Sequence, residues 1–323
     1  TTAANATFTT MALQSTVATP PPLQNTGSAY NATSNKYVVS TLGHLSFIAQ
    51  NTSFWAYNFI QTADIDATVT KFWDDTDDAG GVTGDRYNDD NDATSAGSNK
   101  GFLPLGNATT KFSGTYDGAG YTINGLTIKR PTTTEYSGLF GYTQSAIISN
   151  LGLTNDNITG NERVGTLAGY IVTSKIDNCS SNGTVTGTFM VGGLVGYASN
   201  AYTSSSSIRN SYSTATVNGG SGNHIGGLVG FIYNSANITN SYSTGSVVAT
   251  SNYRGGLVGY TDDSSSVTDS FYDNVISGQS DTGKGAGKTT AEMKTLATFT
   301  NWDFNSIWNI DTSGTINGGY PYL

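Results

Sequence analysis

The stretch Val191-Gly192-Gly193-Leu194-Val195-Gly196-Tyr197 has four kin in the chain: SGLFGY from Ser137, GTLAGY from Gly165, IGGLVGF from Ile225 and RGGLVGY from Arg254. Their central leucines, Leu139, Leu167, Leu194, Leu228 and Leu257, lie 28, 27, 34 and 29 residues apart. A second motif keeps step with the first. Its leading apolar residue is Ile148, Ile176, Ile208, Ile238 or Val267, and a third apolar position follows at Val185, Val217 and Val247. Self-similarity at a near-constant period marks a repeat architecture, in which one unit cannot bury its own apolar face. Three short strands per unit, separated by Gly, Asn and Ser turns, predict an all-β chain wound as a parallel β-solenoid. Leu should then stack on Leu, Ile on Ile and Val on Val, about 4.8 Å apart.

The glycines around each leucine fit places where a Cβ would collide with the next coil. The aromatic after the second glycine (Tyr142, Tyr170, Tyr197, Phe231 or Tyr260) should stack along one corner. Asn150, Asn178, Asn210 and Asn240 fall in register, which predicts an asparagine ladder bonded side chain to side chain along the axis. Asp269 takes the place in the last coil.

Composition agrees with short strands and many turns. Charged residues are 11% of the chain, less than half the usual share, and Gly alone accounts for 40 of 323 residues. Thr, Val, Ile and Tyr suit strands, whereas Gly and Asn suit turns. A net charge of -9 argues against a nucleic-acid partner, because the scattered basic residues could not neutralise a phosphate backbone. No apolar run reaches the length of a membrane span. Cys179 is the one cysteine, so no intrachain disulfide forms. The chain opens on Thr1, and its Thr/Asn/Ser-rich, lysine-poor composition favours an exported, extracellular protein.

The two ends differ from the repeats. Residues 1–36, with Pro20, Pro21 and Pro22, read as an extended tail that could serve as an inter-subunit strand. Residues 37–136 read as an N-terminal cap and irregular first coils, with an acidic loop at 74–100. The segment from Tyr37 reads as a strand followed by a short helix carrying Leu42, Leu45, Phe47 and Ile48. Residues 137–276 hold the repeat coils and 277–323 a C-terminal cap. In the latter, Thr289 and Glu292 form a capping box that predicts a second short helix. A helix at each end should cover the open sheet edges.

The repeats, with ITNSYSTGSV between them, resemble the GLUG-motif repeats of bacterial surface and adhesin-like proteins. The flanks FLPLGNATTKFSGTYDGAGYTINGLTI before the repeats and WNIDTSGTINGGYPYL after them extend the resemblance over roughly residues 37 to 323. It implies a right-handed solenoid displayed at the cell surface, found in adhesins and as an accessory module of some surface peptidases. The family is defined by its repeats, so the resemblance assigns no catalytic residue.

Candidate chemistry is sparse. Asp74 to Asp92 holds eight of the 23 acidic residues. Clustered carboxylates among Asn and Gly suit Ca²⁺, with Asp75, Asp77, Asn88, Asp90 and Asp92 as its candidate ligands. A solvated acidic loop has the same composition, and no EF-hand spacing is met. His44 and His224, one in the expected cap helix and one just before a rung, are too small an inventory for a zinc site or a catalytic triad. Cys179 stands where other repeats place serine, which fits a buried rung better than a nucleophile. A glycan-cleaving solenoid would group carboxylates on one face; here Arg163, Arg209, Arg254 and the pair Asp262-Asp263 are loosely spread. The 19 tyrosines could pack or could bind sugar rings.

The expected function is therefore non-enzymatic, extracellular and structural. In one version the chain is a subunit of a self-assembling fibre, joined head to tail through its N-terminal tail by β-augmentation. In the other it is a monomeric surface adhesin that binds a host or matrix glycan or protein.

Overall fold

The computed structural model describes residues 18–24, 35–73, 100–131, 136–201, 206–282 and 284–323. The repeats wind into a parallel β-solenoid with three faces, each a sheet running along the axis. One face stacks Phe140–Gln144, Ala168–Val172, Val195–Ser199, Val229–Tyr233 and Val258–Thr261. The second stacks Glu162–Val164, Phe189–Gly192, Asn223–Gly226 and Arg254–Gly255. The third is a broad, bent face. It contains the long strands Ile147–Gly160 and Lys175–Thr186, which later coils break into shorter pieces such as Ser207–Arg209, Tyr212–Ser213 and Thr216–Gly220. Early coils join it through Tyr37–Val39, Asn58–Gln61 and Thr115–Asp117.

Like stacks on like, as the repeat period requires. Ile176 pairs with Ile148 on one side and Ile208 on the other, and Val185 with Ile158 and Val217. The leucines bend between faces, and their backbones still bond from coil to coil. The N–H groups of Leu167, Leu194 and Leu228 donate to the carbonyls of Leu194, Leu228 and Leu257 at 3.0, 2.9 and 2.9 Å. All five rung leucines are fully buried. Each such side chain contributes about 1.5–3 kcal/mol relative to exposure. Gly227 shows why four of the five motifs place glycine before the leucine, with Thr166 the exception. A Cβ at Gly227 would sit 2.1 Å from the Gly256 carbonyl oxygen and 2.4 Å from Ser243 Oγ.

The asparagines owe their places to the backbone more than to a ladder. Asn150, Asn178, Asn210, Asn240 and Asp269 all have φ between 46° and 54°, the left-handed conformation in which Asn and Asp are the most tolerant residues after Gly. They turn the broad face. The expected side-chain ladder forms only at its start: Asn150 Nδ2 donates to Asp117 Oδ1 at 3.0 Å and Asn178 Nδ2 to Asn150 Oδ1 at 3.1 Å. Asn210 instead donates to Asp177 Oδ1 at 3.1 Å, which leaves Asn178 Oδ1 buried without a partner.

The ladder that continues through the coils is made of serine. Directly after each turn, the backbone N–H of Cys179, Ser211 and Ser241 donates to the hydroxyl of Ser211, Ser241 and Ser270 on the next coil, at 3.1, 3.2 and 3.1 Å. Each hydroxyl then donates to the carbonyl two residues back, on Arg209, Thr239 and Thr268. The left-handed turn pulls this N–H out of the sheet, and the hydroxyl replaces the missing carbonyl. Cys179 sits at the head of this column, its thiol 3.3 Å from the Asp177 carbonyl oxygen.

The N-terminal end is covered as expected and the C-terminal end differently. At the N-terminus the helix Leu42–Gln50 forms, capped by Thr41, and buries Leu42, Leu45 and Ile48. Phe47 lies half-buried, edge-on to Phe54 at 5.1 Å. At the C-terminus the capping box forms, with Glu292 Oε2 accepting from the Thr289 N–H at 2.7 Å. It opens only short 3₁₀ turns, Glu292–Lys294 and Leu296–Thr298, and not an α-helix. Nor does this segment cover an edge. Phe299, Trp302, Trp308 and Tyr320 fold back on the outside of the broad face and bury Tyr242 against its outer surface. These rings are too apolar to stay in water, and Tyr212, Tyr242 and Phe271 offer an aromatic patch to receive them.

One acidic group is deeply buried. Asp156 accepts from the Leu126 N–H at 2.9 Å through Oδ1, while Oδ2 has no partner. Burial holds its carboxyl well above the ordinary value of 3.8.

Two outcomes are expected. Ser211→Ala strands the buried Cys179 N–H and should cost about 1–3 kcal/mol in urea unfolding; a loss under about 0.5 kcal/mol would remove the serine ladder from the account. Because the Asp156 proton is held more tightly in the native state than in the unfolded one, its stabilisation is complete below the ordinary 3.8 and declines as pH rises toward the elevated native value. Asp156→Asn keeps the acceptor for Leu126 and should flatten this decline, measured as unfolding midpoints from about pH 4 to about pH 8.

Candidate functional site

The outer side of the broad face carries one column whose residues change size along the axis. Strand register aligns Thr122, Gly152, Ser180, Tyr212, Tyr242 and Phe271. The small members sit on the earlier coils and the rings on the later ones. The C-terminal segment rests on the rings, with Tyr242 donating to the Pro321 carbonyl and Trp302 Nε1 to the Asp269 carbonyl at 2.8 Å. It stops short of the small residues, so a groove of about 640 Å³ remains between it and the early coils.

Gly152 and Ser180 form the floor of this groove, Tyr212 one wall, and Ser306 and Ile307 of the C-terminal segment another. Asp117, Asn150 and Asn178 form the rim at the bend, and Thr122 and Thr154 add hydroxyls. Tyr212 is held from several sides. Its ring stacks on Tyr242 at 4.9 Å and 4°, and Trp308 leans on it at 6.1 Å. Burial pushes its phenol up, and a bond with Ser180 opposes that shift. Asp117 is fixed as firmly. Burial works against its charge, yet Asn150, the Ala119 N–H and Lys36 at 3.1 Å together hold its carboxyl below the usual range. Lys36 is thereby engaged, and no cationic side chain lines the groove among the described residues.

Of the residues singled out in the sequence, Asn150 and Asn178 reach this groove, as rim rather than only as rungs. Tyr212 and Asp117 were missed. The signal for Tyr212 was the change from LGLT and CSSN to SYST in successive repeats; nothing local marked Asp117. The predicted aromatic corner forms elsewhere: Tyr170 packs tilted against Tyr142 and stacks on Tyr197, at 4.5 Å each, and Tyr197 stacks on Phe231 at 5.0 Å. His224 packs into its far end, 4.8 Å from Phe231, while His44 caps the N-terminal turn by accepting from the Ser40 N–H. Burial lowers the basicity of both, and they share no site.

The arginines do not converge. Arg163 lies over Tyr136 and pairs with Glu162, Arg209 pairs with Asp177 on another face, and Arg254 binds Gln279 at the last coil. Asp262 serves a turn, accepting from the Asn234 and Ser265 N–H groups. Among the described residues no three His, Cys, Asp or Glu side chains come together as a metal cluster. The calcium candidates Asp75, Asp77, Asn88, Asp90 and Asp92 lie outside the described residues.

A family model, that of the GLUG motif, matches residues 160–186, 187–218 and 221–248. Among curated proteins, the chain is 35% identical over 167 residues to halomucin of Haloquadratum walsbyi, matching 50% of this chain and 2% of that protein. It is 40% identical over 116 residues to a protein of Evansella cellulosilytica provisionally named a Gly-rich membrane protein, matching 34% of this chain and 13% of that one. It is 31% identical over 176 residues to an immunoglobulin A1 protease of Streptococcus sanguinis, matching 44% of this chain and 9% of the protease. The chain thus spans only a small part of each relative. A crystal structure from Bacteroides ovatus, provisionally designated an immunoglobulin A1 protease, superposes with a TM-score of 0.66 at 20% identity, over 90% of this chain and 92% of that one. That likeness is one of fold.

Cys179 gives a direct check on the site reading. It is fully buried, and burial pushes its thiol up to about 12. The native protein should leave a disulfide exchange reagent unreacted at mildly alkaline pH, and denaturant should release one reactive thiol. Rapid reaction of the native thiol would reopen Cys179 as a nucleophile.

Proposed function

We propose that this GLUG-repeat β-solenoid is a non-catalytic, extracellular module of a cell-surface protein, folded as a self-contained rod that presents its side faces to a partner. The observation that carries this reading is that the chain itself covers part of each end of the ladder. A solenoid built to polymerise end to end would leave its terminal strands free to pair.

At the N-terminal end, the strand Tyr37–Val39 pairs on its inner side with Asn58–Gln61. On its outer side it pairs with Leu23: the Val38 N–H donates to the Pro22 carbonyl at 2.7 Å, and the Gln24 N–H to the Lys36 carbonyl at 2.8 Å. At the other end Lys284 reaches over the last coil and donates to the carbonyls of Arg254 and Gly259 at 2.7 and 2.9 Å. Asp281 accepts from the Gly256 N–H at 2.8 Å and lies 3.7 Å from the Lys284 amine. The strand Ala286–Lys288 then covers Phe271–Asp273.

The relatives support a place outside the cell. One is by name a membrane protein and another is named for an immunoglobulin. No described helix is long and apolar enough to cross a membrane. Protease activity belongs, by its name, to a relative of which this chain matches 9%, and the dispersed acids, histidines and arginines support a non-catalytic part. The fibre reading places its donor strand at residues 6–18 of the tail 1–36, and of that strand residues 6–17 lie outside the described residues.

Light scattering after gel filtration should find a monomer, and negative-stain electron microscopy single short rods. The double variant Asp281→Ser, Lys284→Ser uncovers the last coil and should melt earlier and associate through that end. Regular fibres of the unmodified protein would overturn the proposal in favour of a structural subunit.

A further inference from the structure

We infer that the groove between the early coils and the C-terminal segment is a carbohydrate site for neutral pyranose glycans. The inference deepens the surface-module reading by assigning a ligand class to one of its faces. It rests on three observations: the size of the groove, the kind of groups that line it, and the fact that those groups are fixed before any ligand arrives.

The volume of about 640 Å³ lies within the range of small-ligand sites, roughly 300–1,000 Å³. The lining is unlike that of an apolar pocket. An aromatic wall, Tyr212, stands beside Asp117, Thr122, Asn150 and Ser180 around the bare backbone of Gly152. Sugars need this combination. The carbon-bound hydrogens on one face of a pyranose pack on an aromatic ring, while its hydroxyls, each both donor and acceptor, seek carboxylate, amide and hydroxyl groups.

Preorganisation strengthens the case. One face of the Tyr212 ring is stacked on Tyr242, so the ring cannot turn away, and its other side borders Ser180 and the groove. Asp117 is held by Asn150, Ala119 and Lys36, which occupy three of roughly four acceptor positions and leave one for a ligand hydroxyl. Groups fixed in advance lose little freedom on binding. Charge selects within the class. The groove carries a carboxylate and no free cation among its described lining, on a chain of net charge -9, so sialylated and sulfated glycans are repelled.

The fold supplies a variant that should block the site without unfolding the protein. Ser180 occupies the register position at which Tyr212 and Tyr242 stack one and two coils later. Ser180→Tyr would extend that stack by one ring and fill the groove. An array of neutral, sialylated and sulfated oligosaccharides should show the unmodified protein retained by neutral glycans only, with the preferred one then titrated calorimetrically. Ser180→Tyr should weaken that binding at least about tenfold with an unchanged melting temperature. Asp117→Asn, which keeps shape and loses charge, should weaken binding of the neutral glycan and lessen the discrimination against acidic ones. Absence of binding across the array, undiminished binding by Ser180→Tyr, or retention by acidic glycans alone would overturn the inference. So would a groove that takes up unstructured peptides in place of sugars. None of these results alters the monomeric rod on which the surface-module reading stands.

Discussion

Everything in this protein depends on one constraint: each coil must offer its backbone donors and acceptors to the next at a single spacing, about 4.8 Å, wherever the chain is along the turn. On flat faces the sheet does this unaided. At the bends it does not, and the residues that look most idiosyncratic in the repeats are there to repair it. Asn takes the left-handed conformation, and the serine after it provides the oxygen that the turn has removed. The glycine before the leucine, at Gly193 and Gly227, clears the space into which the next coil's carbonyl must come. Side-chain stacking of Leu, Ile and Val supplies the apolar burial, but only because these bends keep the coils parallel.

A solenoid built this way is strong along its length and exposed at its ends. The chain meets that liability with local devices. A strand fragment around Leu23 and the helix Leu42–Gln50 cover part of one end, and the Asp281–Lys284 pair covers part of the other. The aromatic C-terminal segment then has another place to go. It lies along the broad face, where Tyr242 and its neighbours accept it, and in doing so it raises a wall beside the small residues of the earlier coils. The groove is thus a by-product of two separate solutions, the closing of an end and the covering of rings.

The relatives fit a module of this kind. The GLUG matches fall on three successive coils, and similar stretches occupy small portions of much longer proteins.

The repeat spacing, the three strands per coil and the burial of each rung leucine were legible in the sequence, because stacking forces identical residues to recur at one period. So were the aromatic corner, the N-terminal helix and the place of Cys179 in a serine column. The asparagines were legible as a register but not in their purpose, since a recurring Asn marks a left-handed turn as readily as an amide ladder. The C-terminal capping box was read correctly as hydrogen bonds and wrongly as a helix covering an edge, because local capping does not say where a segment docks. The groove belonged to neither reading. Gly152 and Ser180 against Tyr212 and Tyr242 is a change of size within one column, visible once the repeats are aligned. That Asp117 stands beside it, and that Ile307 returns from the far end of the chain to wall it, follows only from packing in three dimensions, where residues nearly two hundred positions apart share one surface.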